Sequence, residues 1–339
     1  MAIYYILLFC SALIFSLQFL ITKQYQRRNG TGFLSSVRLS LFAYLTIAIF
    51  FFIKGCITFK TLNFGFSFFT LLMTLLVAVV SLSCVYMGIK VLSVGDMSIY
   101  SVFMMLGSLV LPSLVGLVFY DEKLTVLKGI ALVCMFGAII LSVSGVDKSK
   151  LTLKALLYYI GIFVMNGMIG VLFTVHQNQP EWTAGAIANT DGSFSVNNDV
   201  FMTWYGLSTV ILCAIVYLVI YIVGKVNGKK AGAKAWETPI SEEATSVQTD
   251  RLGLATKAFL ITLALSALYG LCNGLGDYFI ALATQPHALG SSVTFPIING
   301  GTILFSTLIG VILYKEKLKL TTIISLALVI TATVLFMFV

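Results

Sequence analysis

Tyr314-Lys315-Glu316-Lys317-Leu318 closes the apolar run 291–313, and a second apolar run, 320–339, follows it. The same order occurs earlier in the chain. Residues 98–119 are apolar, Tyr120-Asp121-Glu122-Lys123-Leu124 repeats the charged knot, and 125–143 are apolar again. At a constant offset, without a gap, Ser98 falls on Ser292, Gly107 on Gly301, Leu114 on Leu308 and Gly116 on Gly310. Within the knot, Tyr120 falls on Tyr314, Glu122 on Glu316, Lys123 on Lys317 and Leu124 on Leu318. Apolar helices share Leu, Gly and Ile through composition alone, so the charged knot carries the argument. The chain reads as two halves, 1–147 and 148–339, each ending in one copy of the unit.

Of 339 residues, 59% are hydrophobic and 10% charged, where a soluble domain carries about 25% charged residues. Such a composition cannot cover a water-facing surface and implies an integral membrane protein. Ten segments are long and apolar enough to span: 3–22, 33–53, 66–89, 96–119, 125–145, 154–175, 200–224, 256–283, 289–313 and 320–339. Each approaches the roughly 20 residues a spanning helix needs. Helices are expected because backbone groups in lipid must be satisfied within the segment, and these runs are about twice a barrel strand. The expected fold is therefore an all-α membrane protein with ten transmembrane helices arranged as two inverted five-helix repeats. The inversion follows from parity: five spans per half send the second half into the bilayer from the opposite side. Antiparallel halves related by an in-plane two-fold are a transporter signature.

Ten spans place both termini on one face. The opposite face then receives 17 of the 21 Lys and Arg residues, and the terminal face keeps Lys54, Lys60, Lys123 and Lys128. Cytoplasmic loops hold the excess of positive charge, so both termini are expected outside the cytoplasm, in a multi-pass protein of the cell membrane. The net charge of +8 is thereby a matter of topology, and no nucleic-acid partner is expected. Residues 176–199 lack Lys and Arg and are expected to form an external, solvated loop; 225–255, basic and then acidic, form a cytoplasmic linker. The first span lacks a basic start and a cleavage site and reads as a retained helix. Six cysteines in apolar runs, without a CxxC, and two distant histidines argue against disulfides, zinc or any other cofactor.

Ten apolar spans, with a helix ending in Tyr-x-Glu-Lys-Leu at spans 4 and 9, resemble the drug/metabolite transporter superfamily, in its ten-helix type of EamA-domain carriers and sugar porters. The resemblance covers most of the chain and is strongest over 96–145 and 289–339. Members usually carry a proline early in spans 4 and 9. Pro296 fits that place, whereas Val102 occupies the matching position in the first half, where Pro112 lies further along. The resemblance implies a central cavity between the halves, alternating access, and a small polar or amphipathic substrate moved by a gradient; it does not fix the substrate.

Polar side chains within spans point to the sites. Tyr269, Asn273 and Asp277 recur every four residues and share one helical stripe. Asp277 is the one acid well inside a span, where a charge costs about 2.5–3.5 kcal/mol. It is the candidate for binding a proton or a cationic group and coupling it to substrate; the plainer alternative is a helix-end aspartate among headgroups. Asn166 and Asn299, near the middles of spans 6 and 9, suit hydroxyl, amide or carboxylate recognition, or an inter-helix hydrogen bond worth about 0.6 kcal/mol. Arg38 is a candidate anion clamp or a snorkelling cation. Tyr100 is a candidate stacking surface or an interfacial aromatic.

Two other classes compete. Gly274-Leu275-Gly276-Asp277 matches the GxGD of intramembrane aspartyl proteases, Tyr120-Asp121 supplies a YD, and Pro286-His287-Ala288-Leu289 is a PAL interrupted by His287. Two carboxylates sharing a proton would activate water. The repeat itself explains the YD, whose partner copy is Tyr314-Lys315, and the two acids lie four helices apart. The chain is therefore expected not to be an enzyme. No HExxH or P-loop occurs, so an ATP-driven pump is excluded on this chain alone. A channel lacks any visible selectivity filter or charged ring.

Overall fold

The computed structural model describes residues 2–59, 65–94, 97–119, 125–145, 152–189, 192–226, 250–283, 291–315 and 319–338. The first charged knot (120–124), 316–318 of the second, 286–289 and most of the expected linker (227–249) lie outside the described residues.

Among the described residues, ten long helices make the framework: α1 (Ala2–Asn29), α2 (Phe33–Phe59), α3 (Phe68–Val94), α4 (Met97–Phe119), α5 (Val126–Gly145), α6 (Leu153–Gln177), α7 (Asn198–Val226), α8 (Asp250–Ala283), α9 (Ser291–Tyr314) and α10 (Leu320–Met337). Seven of them, α1, α2, α3, α6, α7, α8 and α9, are long and apolar enough to cross a membrane. The apolar stretches described in the other three are shorter: Ile99–Pro112, Gly129–Ala138 and Leu320–Leu335.

Side chains are sorted inside out relative to a soluble protein. Val126, Val133 and Ile140 of α5 are 81%, 71% and 68% exposed and fall seven residues apart, one stripe turned outward. Meanwhile Ser16, Ser36, Ser40, Thr74, Ser101 and Thr302 are fully buried between helices. Many inner hydroxyls donate to the carbonyl four residues earlier, as Ser16 does to Ala12, Thr209 to Tyr205 and Ser266 to Thr262. Such a hydroxyl finds its acceptor within its own helix, which makes its burial tolerable. Apolar groups outside and hydroxyls inside suit lipid as the surrounding solvent. The chain is an all-α, multi-pass membrane protein.

The packing follows a rule. The principal contacts of α1 are with α8 and α9, and those of α6 are with α3 and α4. α2 packs on α8 and α7 packs on α3. Three further couples, α2–α7, α4–α9 and α5–α10, complete the set. Adding five to each helix number, and wrapping at ten, turns each of these pairings into a member of the set: α2–α7, α4–α9 and α5–α10 map onto themselves and the rest exchange in pairs, while α9 packs on α10 more extensively than α4 does on α5. Directions are equally regular. Phe9–Phe305 and Gln24–Tyr314 contacts make α1 and α9 parallel, as Gly107–Phe163 and Pro112–Gly170 make α4 and α6. The couple α2–α7 is antiparallel: Lys54 meets Asp199 near one end and Tyr217 meets the Leu34 carbonyl near the other.

Two glycines of the repeat stand at close approaches between helices. A Cβ on Gly107 would collide with the Phe163 carbonyl of α6, and one on Gly301 would lie 2.9 Å from the Ala12 Cβ of α1. These are matched positions of the sequence repeat, and each lets its helix lie directly on a neighbour.

The 176–199 segment is more ordered than its composition suggests. α6 runs through His176 to Gln177, and α7 already begins at Asn198. Between them stand a 3-10 turn (Pro180–Trp182) and a two-stranded hairpin, β1 (Ile187–Ala188) and β2 (Phe194–Ser195). The Ala184 amide donates to Thr70 Oγ1 at 2.9 Å, Ser67 Oγ donates to the Trp182 carbonyl, and Trp182 meets Phe69 edge-on. The loop is thereby fixed to the start of α3.

Candidate functional site

One cavity lies among eight helices, with α5 and α10 paired outside it. Its space, open solvent at the mouth included, is about 730 Å³. α8 contributes more polar side chains to it than any other helix. Tyr269, Asn273 and Asp277 all line it, and the four-residue spacing brings them to the same wall. Gly276 lets α8 approach α1, since a Cβ there would lie 2.6 Å from the Phe15 ring.

A hydrogen-bonded relay runs along this wall. Gln18 Nε2 of α1 donates to Asn273 Oδ1 at 2.9 Å, and Asn273 Nδ2 donates to Asp277 Oδ2 at 3.0 Å. Asn273 is the one side chain hydrogen-bonded to Asp277 among the described residues, and no cation pairs with it there. Across the cavity, Ser108 Oγ of α4 donates to Asn299 Oδ1 of α9 at 3.1 Å. Asn166 lines the cavity through its side chain while donating to the Met104 carbonyl at 2.6 Å. A third cluster joins Tyr44, Tyr205 and Ser81: the two phenolic hydroxyls are 2.8 Å apart, and Ser81 Oγ is 2.6 Å from that of Tyr205. Two amide atoms at the cavity stay without a hydrogen-bond partner although buried, Gln18 Oε1 and Asn299 Nδ2.

Asn166, Tyr269, Asn273, Asp277 and Asn299 thus meet at one cavity. Tyr100 and Arg38 do not line it. Tyr100 is buried below, edge-on to Phe19 with ring centres 4.9 Å apart, and its hydroxyl faces Gly88. Arg38, half-buried in the first part of α2, lies beside Tyr217 of α7. Sequence reasoning missed Tyr44, Tyr205, Ser81 and Ser108 as lining groups. Hydroxyls are frequent in apolar helices, and nothing in their spacing separates these from the rest.

Both ends of the bundle carry charged contacts. At the end where α2 finishes and α7 begins, Lys54 Nζ donates to both Asp199 oxygens, at 2.7 and 2.9 Å, and to the Tyr278 hydroxyl at 2.8 Å. At the other end Lys23 lies 3.9 Å and Arg27 4.8 Å from the centre of the Tyr314 ring. Among the described residues, no group of His, Cys, Asp and Glu is arranged to hold a metal. The other letters of the protease reading, Asp121 and 286–289, lie outside the described residues.

No family model and no curated protein sequence matches the chain. Solved structures do resemble it. One crystal structure superposes with a TM-score of 0.57 over 98% of this chain and 94% of that chain, at 13% sequence identity. At that identity the likeness carries the fold alone.

Proposed function

We propose that the protein is a gradient-driven secondary transporter of the drug/metabolite type, moving a small polar or amphipathic metabolite across the cell membrane by alternating access. In this reading ten helices span the bilayer as two inverted halves of five, with both termini outside the cytoplasm. The observation that carries it is the pairing rule: the principal helix contacts repeat when every helix is exchanged for the one five places on, and the cavity lies among the exchanged elements. If halves of similar packing energy can trade conformations, states open to either side come out nearly equal in free energy. The sequence repeat over 98–124 and 292–318 supports the same arrangement, as do Gly107 and Gly301 at equivalent close contacts.

In this account Asn166, Tyr269, Asn273 and Asn299 contact substrate, and Asp277 carries the exchangeable proton or cation. Among the described residues no basic side chain lines the cavity; its other titratable groups are Tyr44, Tyr205, Tyr269 and Cys84, which are uncharged near neutral pH in their ordinary state. Asp277 is therefore the one group there that is ordinarily charged near neutral pH. No cofactor or nucleic acid has a part. The intramembrane protease alternative rests on the letters at 274–277, 120–121 and 286–289, of which the last two lie outside the described residues.

The test is a thermal-shift screen of purified protein against metabolite classes, since a ligand of the folded state raises its apparent stability. Flux of any hit into proteoliposomes follows. Saturable uptake, with counterflow, is expected. Flux that rises linearly with concentration would point to a pore and overturn the carrier reading.

A further inference from the structure

We infer that the cavity takes an organic monocation: an ammonium group on an aromatic or apolar body, without a carboxylate or phosphate. This rests on the carrier reading above and narrows its substrate class. Four observations converge. Asp277 faces the cavity with one oxygen held by Asn273 and with no cation paired to it among the described residues. Gln18, 1% exposed and joined to the same relay, keeps its amide oxygen Oε1 buried and unpartnered. An acceptor and a carboxylate joined through Asn273 are what an ammonium group with several N–H donors requires. Phe15, Phe173, Phe295 and the Tyr44–Tyr205 pair supply apolar and π surface for the body of the ligand. Among the described residues no Lys, Arg or His lines the cavity, so a ligand carboxylate or phosphate would be desolvated without a countercharge.

At the far wall Asn299 offers an unpartnered N–H, its carbonyl oxygen being held by Ser108. The distal part of the ligand is therefore expected to carry a neutral acceptor oxygen. Tyr278, next to Asp277 along α8, accepts from Lys54 of α2, which is also paired with Asp199 of α7.

The test uses four compounds with one body and different ends: tyramine (cation), tyrosol (neutral), 3-(4-hydroxyphenyl)propionate (anion) and tyrosine (zwitterion). Purified full-length protein is titrated with each, and binding is read from thermal stabilisation. Tyramine should bind at least tenfold more tightly than tyrosol, with no shift from the propionate. Asp277→Asn should abolish the tyramine preference; should that variant not fold, Gln18→Leu in its place should weaken tyramine severalfold more than tyrosol. Binding of tyrosine or the propionate in preference to tyramine would overturn the inference, as would an unaltered tyramine preference in Asp277→Asn. Proteoliposome flux separates the two claims. Saturable tyrosine transport with no tyramine binding leaves the carrier and removes the cation site. Tight tyramine binding with no flux of any kind leaves the cation site and removes the carrier.

Discussion

The hydroxyls of Tyr44 and Tyr205 hydrogen-bond at 2.8 Å where α2 and α7 cross antiparallel. Both side chains line the cavity, both are almost fully buried, and Ser81 of α3 joins them at 2.6 Å from the Tyr205 hydroxyl. Three helices are held there by groups that have little water to turn to. Tyr205→Phe leaves the Tyr44 and Ser81 hydroxyls without their shared partner, at a cost of about 1–3 kcal/mol. The expected result is a thermal midpoint in detergent several degrees below the parent. Tyr86→Phe, at a less enclosed hydroxyl, should change it less.

The matched glycines predict a graded response. Alanine at Gly107 meets a backbone carbonyl that cannot move without shifting α6, whereas alanine at Gly301 meets the Ala12 methyl at 2.9 Å. Overpacking of this kind costs about 1–3 kcal/mol, and Gly107→Ala should be the worse of the two. Gly129, inside α5, has nothing within 4 Å of an added Cβ. Gly129→Ala should be neutral or stabilising by up to about 1 kcal/mol. Thermal midpoints of the three variants, measured side by side, check the order.

These positions show how much of the molecule could be read beforehand. Gly107 and Gly301 are legible as equivalents because the charged knot fixes the register of the repeat. The α8 stripe is legible because three polar residues at four-residue spacing stand out in an apolar helix. Tyr44 and Tyr205, 161 residues apart, belong to the same wall only through tertiary packing, which no local pattern encodes. Tyr100 looks like a cavity aromatic in the sequence, yet its helix turns it toward Phe19. Likewise, the order of the 176–199 segment comes from Thr70 and Phe69 on α3 and Ser67 just before it, so its own lack of periodicity is a poor guide.

Lys54 joins Asp199 at the start of α7 to Tyr278 on α8. Removing one partner of a buried pair costs about 3–5 kcal/mol. The Lys54 side chain is 32% exposed and that of Asp199 5%, so solvent reduces this to about 1–2 kcal/mol. Lys54→Met, which strands a buried carboxylate, should lower the thermal midpoint more than Tyr278→Phe. A charge exchange, Lys54→Asp with Asp199→Lys, should recover part of the loss, and a double-mutant cycle measures the coupling directly.

Asp277→Asn tests coupling. In the parent, a proton and a cationic ligand compete for one carboxylate, so apparent affinity for the cation should fall as pH is lowered and the carboxyl takes up its proton. The substituted amide has no proton to exchange, and the variant should bind weakly with an affinity that no longer varies with pH. Titrations of tyramine at several pH values, parent against Asp277→Asn, give the comparison; equal pH profiles would remove Asp277 from the coupling role.

The central claim is that two inverted halves open the cavity to each side in turn. Spin labels at Ile3 on α1 and Asn178 after α6 report one end of the bundle, and labels at Arg28 and Leu153 on the same two helices report the other. Pulsed electron–electron distance measurements on both pairs in lipid nanodiscs, with and without bound ligand, test the claim most directly. Reciprocal distributions are predicted, one end widening as the other narrows by several ångströms. Fixed distances at both ends, or ends that widen together, would contradict it.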